Sequence, residues 1–537
     1  MKPSFRIVLL LVAPLAFAAC VSAPIYRPKV SANANATRGY SLAFDPSNYT
    51  IETLTVNAKP VVFRAFENIV YVQHPVDAKY ECMNIYIPEA YYEGKSIGGH
   101  TAQTAPIFFP NAIGRYMPAT PGKPEETSGF PGGPGGPGGP GGPGGPGGPG
   151  GPGGLPPLPS GPNAALVALS KGYVVAEPGA RGWTLQDKEG RYIGKAPAAL
   201  VDLKAAVRYL RYNDEAMPGD AEKIISNGTS AGAALSVLLG ATGNSLDFVP
   251  YLKALGAADE RDDIFAVSAY TPITNLENAD MAYEWEFGGQ YSYTKLLFSQ
   301  DGDNFPRISF VKGVLSEDQI KLSQSLKALF PAYVNGLGLK KADGTPLTLD
   351  ADGNGTFKDY IKFYVAASAQ KALDNGADLS GKTWITIRDG TVTDIDYTAY
   401  LSYLGRMKTP PAFDALDLSN PENGLFGTAT VNAQHFTQFA MEHSSTAGSL
   451  ADPSIVKMMN PMDYMENGGS SISRHWRIRI GTKDSDTSLA ISAILATKLA
   501  DKGFDVNYAM AWDRPHSGDY DLPELFTWID EACAAKR

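Results

Sequence analysis

Cysteine and histidine are scarce in this chain: three and six respectively among 537 residues. After Cys20 only Cys82 and Cys533 remain, so at most one further disulfide is available, and two separate buried thiols are the plainer expectation. With so few histidines, a mechanism that needs an imidazole has few places to put one. A strong charge of one sign is also lacking. The net charge is −10, the pI about 5.3, and both signs are scattered along the chain, which argues against a nucleic-acid binder. Beyond the N-terminus no apolar run is long enough for a membrane helix. What is present is a chain 44% apolar, enough for one large domain with insertions or for two or three domains.

The N-terminus reads as an export signal. Lys2 and Arg6 precede an apolar stretch from Ile7 to Ala19 that closes in LAFAAC. A basic start, a core too short to span a bilayer and small residues before the cut fit that description. The cysteine directly after Ala18 and Ala19 resembles a bacterial lipoprotein signal over residues 1–20, with lipid on Cys20. Phe17 is larger than the usual residue there, so ordinary secretion is the alternative. The expectation is an exported protein, lipid-anchored at the bacterial cell envelope, otherwise periplasmic or extracellular. Contact with a membrane is expected only through that anchor. Residues 21–50 are polar and poorly patterned, a tether. Pro131–Gly154 is eight repeats of Pro-Gly-Gly, whose second glycine suits a collagen triple helix badly; a flexible or polyproline-II-like loop is expected.

From Ile51 the chain reads as strands: IETLTVNAKPVVFRAF, IVYVQHPV, CMNIYIP and APIFFPNA, broken by turn residues. A regular alternation follows. GYVVAEPG (172–179), EKIIS (222–226) and IFAVSAYTPIT (264–274) read as strands. PAALVDLKAAVRYLRYN (197–213) and the stretch from Ala231 to Gly240 read as helices. The rhythm stops at about residue 275 and resumes at 470 with RHWRIRIG, the helix TSLAISAILATKLADKG, VNYAMAW and the helix LPELFTWIDEACAA. Such alternation predicts an α/β fold, a mostly parallel sheet with helices on both faces. The expected division is a catalytic domain over 51–274 and 470–537, with an inserted lid domain over 275–469. That insertion contains helical pieces, SEDQIKLSQSLKALFPAYV and FKDYIKFYVAASAQKALDN.

Within this frame, SNGTSAGAALSVLLG places Ser230 between Gly228 and Gly232 at a strand-to-helix join. G-x-S-x-G at that place is the nucleophile elbow of the α/β-hydrolase fold, although the same residues suit any tight turn. A nucleophile there needs an acid and then a histidine, in that order along the chain. His74 and His100 precede the serine, His435 and His443 lie in the insertion, and His475 opens a strand at the wrong end of the sheet. His516 follows the last strand, and Asp484 follows the strand before it. Ser230, Asp484 and His516 are therefore the expected catalytic set of a serine esterase working through an acyl-enzyme. One oxyanion donor is the N–H of Ala231; Gly114 or Arg115, after APIFFPNA, is the other. No metal or other cofactor is required. DADGNGTFKDYI begins like an EF-hand loop with Asp350, Asp352, Asn354 and Gly355, but its twelfth residue is Ile361. A polar turn is expected there, with structural calcium the alternative.

The segments GTSAGAALSVLLGATGNS, IFAVSAYTPITNLENADMAYEW, FKDYIKFYVAASAQ, NPENGLFG, RHWRIRIGTKDSDTSLA and WDRPHSGDYD resemble the bacterial tannases (tannin acyl hydrolases), over most of Ile51–Glu531. The resemblance implies the triad already derived and adds a galloyl-binding set, Lys408, Glu422 and Asp486. Read without it, Lys408 and Glu422 are a solvated pair on the insertion surface, and Asp486 is the N-cap of the helix beginning near Thr487. The family's usual pair of glycines is replaced by Gly114–Arg115. The substrate implied is a small aromatic ester: a gallate ester or hydrolysable tannin, with a hydroxycinnamate ester, as for a feruloyl esterase, as the alternative. A catalytically silent binding protein on the same scaffold is disfavoured by the intact order of Ser230, Asp484 and His516.

Overall fold

The computed structural model describes residues 39–127, 161–299 and 307–534. The leader with Cys20 and the Pro-Gly-Gly repeat lie outside the described residues. The strands are β1 (Thr50–Val56), β2 (Lys59–Val70), β3 (Cys82–Pro88), β4 (Pro106–Pro110), β5 (Val174–Pro178), β6 (Asp220–Thr229), β7 (Ala266–Tyr270), β8 (Ser292–Ser299), β9 (Arg307–Val314), β10 (Ile385–Arg388), β11 (Thr391–Ile395), β12 (His475–Gly481) and β13 (Asp505–Ala511). Nine of them form one sheet in the order β1-β2-β3-β5-β4-β6-β7-β12-β13. β1, β2 and β3 pair antiparallel, and β3 runs antiparallel to β5; every pairing from β5 to β13 is parallel. This is the mostly parallel sheet of an α/β-hydrolase.

Parallel strands covered on both faces must be apolar on both. In β4, Ile107 and Phe109 pack into one core and Phe108 into the other; in β6, Ile224 and Ile225 divide the same way. Helices Ala198–Tyr212, Ala231–Ala241 and Leu489–Asp501 cover one face, and Ala164–Ser170 with Leu522–Ala534 the other.

The chain between β7 and β12 holds the hairpins β8–β9 and β10–β11 and several helices, among them Leu276–Phe287, Glu317–Gly336 and Thr356–Asp374. Among the described residues no helix is long and apolar enough to cross a membrane. Cys82 and Cys533 are unpaired.

Two local expectations differ from the structure. IVYVQHPV is not a strand of its own: Ile69 and Val70 end β2, and the amides of Gln73 and His74 donate to the carbonyls of Gly256 and Leu255 instead of to a strand. The polar N-terminal stretch, expected to be a tether, is docked onto the domain at Phe44. Phe44 is buried against Phe66, and its amide donates to Asn213 Oδ1 at 2.8 Å.

Candidate active site

Ser230 sits between β6 and the helix Ala231–Ala241 with φ 60° and ψ −122°. A positive φ at a side chain with a Cβ is strained and persists only where surroundings impose it. The Ser230 amide donates to the Tyr270 carbonyl at the end of β7 (2.9 Å), and its carbonyl accepts from Ala234 (3.0 Å). The flanking glycines are there for space. A Cβ on Gly228 would lie 2.5 Å from the Gly232 backbone, and one on Gly232 2.6 Å from Asn111 Oδ1 and 2.9 Å from the Ile113 carbonyl. The loop after β4 is thus pressed onto the elbow, and Asn111 ties it there by donating to the Gly232 carbonyl and Ser236 Oγ. Gly114 and Arg115 continue that loop. Arg115 and Tyr116 both have positive φ, and the Tyr116 hydroxyl donates to the Ile273 carbonyl. Ala231 is the first residue of its helix, where an N–H has no intrahelical acceptor.

Asp484 and His516 stand just past the next two strand ends, β12 and β13. Asp484 is fully buried beyond β12; its Oδ1 accepts from the Asp486 amide (2.9 Å) and its Oδ2 lies 2.8 Å from His516 Nδ1. That contact places the proton on Nδ1 and leaves Nε2 as the basic nitrogen. Among the described residues Nε2 is buried and has no hydrogen-bond partner. The His516 loop lies on the elbow itself. A Cβ on Gly518 would lie 1.9 Å from Thr229 Oγ1, and Asn227 Nδ2 donates to Asp519 at 3.0 Å. Burial disfavours the charged imidazole, but the negative charges of Asp484 and Asp486 outweigh it, and the His516 pKa is pushed up to about 9.

The inserted segment supplies the other wall. Lys408 Nζ lies 3.4 Å from Asp486 Oδ2 and 3.9 Å from the Phe413 ring centre. Glu422, in the short helix Pro421–Leu425, is only 7% exposed. Burial raises its pKa against the pull of Lys408. Burial works the same way on Asp486, but Lys408, His516 and Arg115 hold it below the ordinary carboxylate range. The plainer expectations for these three residues do not hold. Glu422 is no solvated surface charge, and Lys408 pairs with Asp486. The helix after Asp486 starts at Leu489 and is capped by Ser488, so Asp486 is not its N-cap.

A second Ser–His–Asp array lies in the inserted segment. His435 Nδ1 is 2.7 Å from Asp414 and Nε2 is 2.9 Å from Ser444 Oγ. Ser444 is on no strand-to-helix elbow, and its Oγ is flanked by the carbonyl oxygens of Thr446 (2.8 Å) and Leu416 (3.3 Å). Carbonyl oxygens repel a developing oxyanion, so this array suits a structural clasp. In the EF-hand-like turn, the Asp350 carboxylate accepts from the amides of Asp352 and Asn354, and Lys358 donates to Asn354 Oδ1. Among the described residues no group of three or more His, Cys, Asp or Glu is arranged to hold a metal ion.

The positions of Tyr283, Glu284 and Arg406 behind this wall were not evident from the sequence. Tyr283 and Glu284 fall in the family-like stretch NLENADMAYEW, yet nothing in their spacing marks them as neighbours of Lys408, more than a hundred residues later.

Comparison with known proteins gives the family. The family model BD-FAE matches residues 163–306. No match was found among curated proteins. Among solved structures, the tannase of Fusobacterium nucleatum is 48% identical with a TM-score of 0.82, over 92% of this chain and 100% of that one. A tannase from Lactobacillus plantarum is 43% identical with a TM-score of 0.83, over 92% and 100%. A tannin acyl hydrolase in complex with ethyl gallate is 44% identical with a TM-score of 0.80, over 92% and 99%. At that identity and coverage, on this sheet and around this elbow, the chain belongs to the bacterial tannase family and is a carboxylic ester hydrolase.

Proposed function

We propose that the protein hydrolyses gallate esters and hydrolysable tannins, releasing gallic acid. The observation that carries this reading is the Lys408–Asp486 contact, with Glu422 buried beside it, directly against the His516 imidazole. A galloyl ring brings three adjacent hydroxyls into a site that excludes water. Two carboxylates accept their hydrogens, and one ammonium donates to an oxygen while offsetting the carboxylate charge. Solved relatives in complex with ethyl gallate and with 3,4-dihydroxybenzoate support the same ring chemistry here.

In the reaction, Ser230 Oγ attacks the ester carbonyl carbon and its proton passes to His516 Nε2. Asp484 holds the imidazole orientation and stabilises its charged form. Ala231 N–H and the Gly114–Arg115 backbone face the oxyanion. The tetrahedral intermediate collapses, the alcohol leaves with the proton from His516, and a galloyl-Ser230 ester remains. Water, deprotonated by His516, then releases gallate. The inserted segment, residues 275–469, serves as the lid that brings Lys408 and Glu422 to the ring. The leader and Cys20 support export and lipid anchoring of this activity.

A fluorophosphonate probe tests the nucleophile. It should label Ser230 and fail on Ser230→Ala, whose residual rate of about 10³–10⁴ over water is invisible in a routine assay. Labelling elsewhere, or a Ser230→Ala enzyme with near-normal turnover, would remove the assignment. Lys408→Ala and Glu422→Ala should each lower kcat/KM on methyl gallate by about one to two orders of magnitude, and much less on methyl benzoate. An equal loss on every ester would instead indicate a general aromatic esterase.

A further inference from the structure

Tyr283 lies on the helix Leu276–Phe287, is fully buried, and touches neither Ser230 nor His516 by any hydrogen bond. Its hydroxyl donates to the Ser485 carbonyl (2.9 Å) and accepts from the amides of Met407 (3.1 Å) and Lys408 (3.0 Å). A phenol offers one donor and two acceptor positions, so this hydroxyl is fully used. Its three partners belong to the two segments that bring Lys408 and Asp486 together. Ser485 stands between Asp484 and Asp486 on the loop after β12, while Lys408 belongs to the inserted segment.

The rest of the Lys408 backbone is held from the same helix. The Arg406 Nε donates to the Lys408 carbonyl at 2.6 Å, and its guanidinium forms a fully buried ion pair with Glu284, the neighbour of Tyr283. Glu284 is fixed in turn by Ser323 Oγ at 2.5 Å. Lys408 therefore has its N–H, its C=O and its ammonium each assigned a partner. Three further bonds of Asp484, to the amides of Asp486 and Thr487 and to His516, are made without Tyr283.

We infer that the Tyr283 hydroxyl is a positioning residue that sets the spacing between Lys408 and Asp486, and thereby the enzyme's preference for a hydroxylated ring. The inference rests on the galloyl reading proposed above. Without the hydroxyl, the loop at Ser485 and the strap at Met407–Lys408 lose their common anchor. The ring-binding groups then drift apart, while the Ser230–His516–Asp484 set keeps its own supports.

Tyr283→Phe tests it, because the ring packing stays and only the oxygen goes. KM for methyl gallate should rise about tenfold, with kcat changed by less than about twofold. Methyl benzoate kcat/KM should move less than about twofold, so the gallate-to-benzoate ratio falls. An unchanged ratio, or an equal fall on both esters, would overturn the inference and leave Tyr283 a structural residue. Should Tyr283→Phe fail to fold, Arg406→Lys decides instead. It keeps the charge facing Glu284 but loses the Nε bond to Lys408, and the same fall in ratio is expected. Wild-type enzyme that does not prefer gallate would sink the galloyl reading itself, and this inference with it.

Discussion

At the scale of single residues, the site is a contest between burial and paired charge. His516 keeps its proton more tightly in the folded protein than in the unfolded chain, with a pKa near 9 against an ordinary 6.5. A group so raised stabilises the fold fully below its unfolded pKa, and that contribution is lost as pH climbs through the folded value. The proposed mechanism needs the opposite form, the neutral imidazole. With His516 as the base, kcat/KM should therefore rise with pH well beyond 6.5, while the stability due to this group declines over the same window. Asp486 is part of the cause, its Oδ2 lying 3.8 Å from Nε2. Asp486→Asn should move the acid limb of the kcat/KM profile to lower pH by about half a unit or more. A pH profile with the limb unmoved would show that Asp484 alone sets the His516 proton affinity.

At the scale of elements, the strand–elbow–helix unit was the most legible part of the chain. The apolar pair Ile224–Ile225 gives way past Ser230 to a run of small and apolar residues from Ala231, and glycines stand where backbone must approach backbone. The prediction follows from those distances. Gly232→Ala forces a Cβ against Asn111 and the Ile113 carbonyl, which should cost about 1–3 kcal/mol and lower both Tm and activity. Gly336→Ala, near the end of the helix Glu317–Gly336, meets nothing within 4 Å and should leave Tm unchanged or slightly higher. Thermal melts of the two variants check this pair. Less legible were connections whose polar groups pair outside the sheet. VQHP has strand-like residues, but Gln73 and His74 bond the end of a helix at Leu255 and Gly256, a partner far away in the chain. Asp486 looked equally able to cap a helix, and only the position of Ser488 decides against it.

At the scale of the whole molecule, the site is assembled from two parts that the sequence separates widely. Strand ends and chain order single out Asp484 and His516, because an α/β sheet puts its chemistry at one rim, and the structure sets the two side chains 2.8 Å apart. Lys408 and Glu422 could not be placed by pattern at all. They reach the rim because the inserted segment is docked there by buried polar contacts. Glu286 is one, accepting from Ser488 Oγ (2.5 Å) and the Leu489 amide (2.9 Å) at the start of the helix behind Asp484. Such contacts join residues two hundred positions apart and leave no local signature. The thiols illustrate the converse, since nothing in the sequence separation of Cys82 and Cys533 told whether they pair, and the structure keeps both free. A reductant should therefore leave Tm where it is, whereas loss of a native disulfide would cost about 2–5 kcal/mol and lower it visibly.

Under the proposed function the site is built around the hydroxyls of a galloyl ring. This is tested most directly by kcat/KM of the wild-type enzyme on three matched methyl esters: gallate, ferulate and benzoate. A site that lines the ring with a buried Glu422 and a half-buried Lys408–Asp486 pair should reject a ring without hydroxyls by up to about 10⁴-fold. Gallate should come first by a wide margin, with benzoate slow but measurable. Benzoate or ferulate hydrolysed as efficiently as gallate would contradict it.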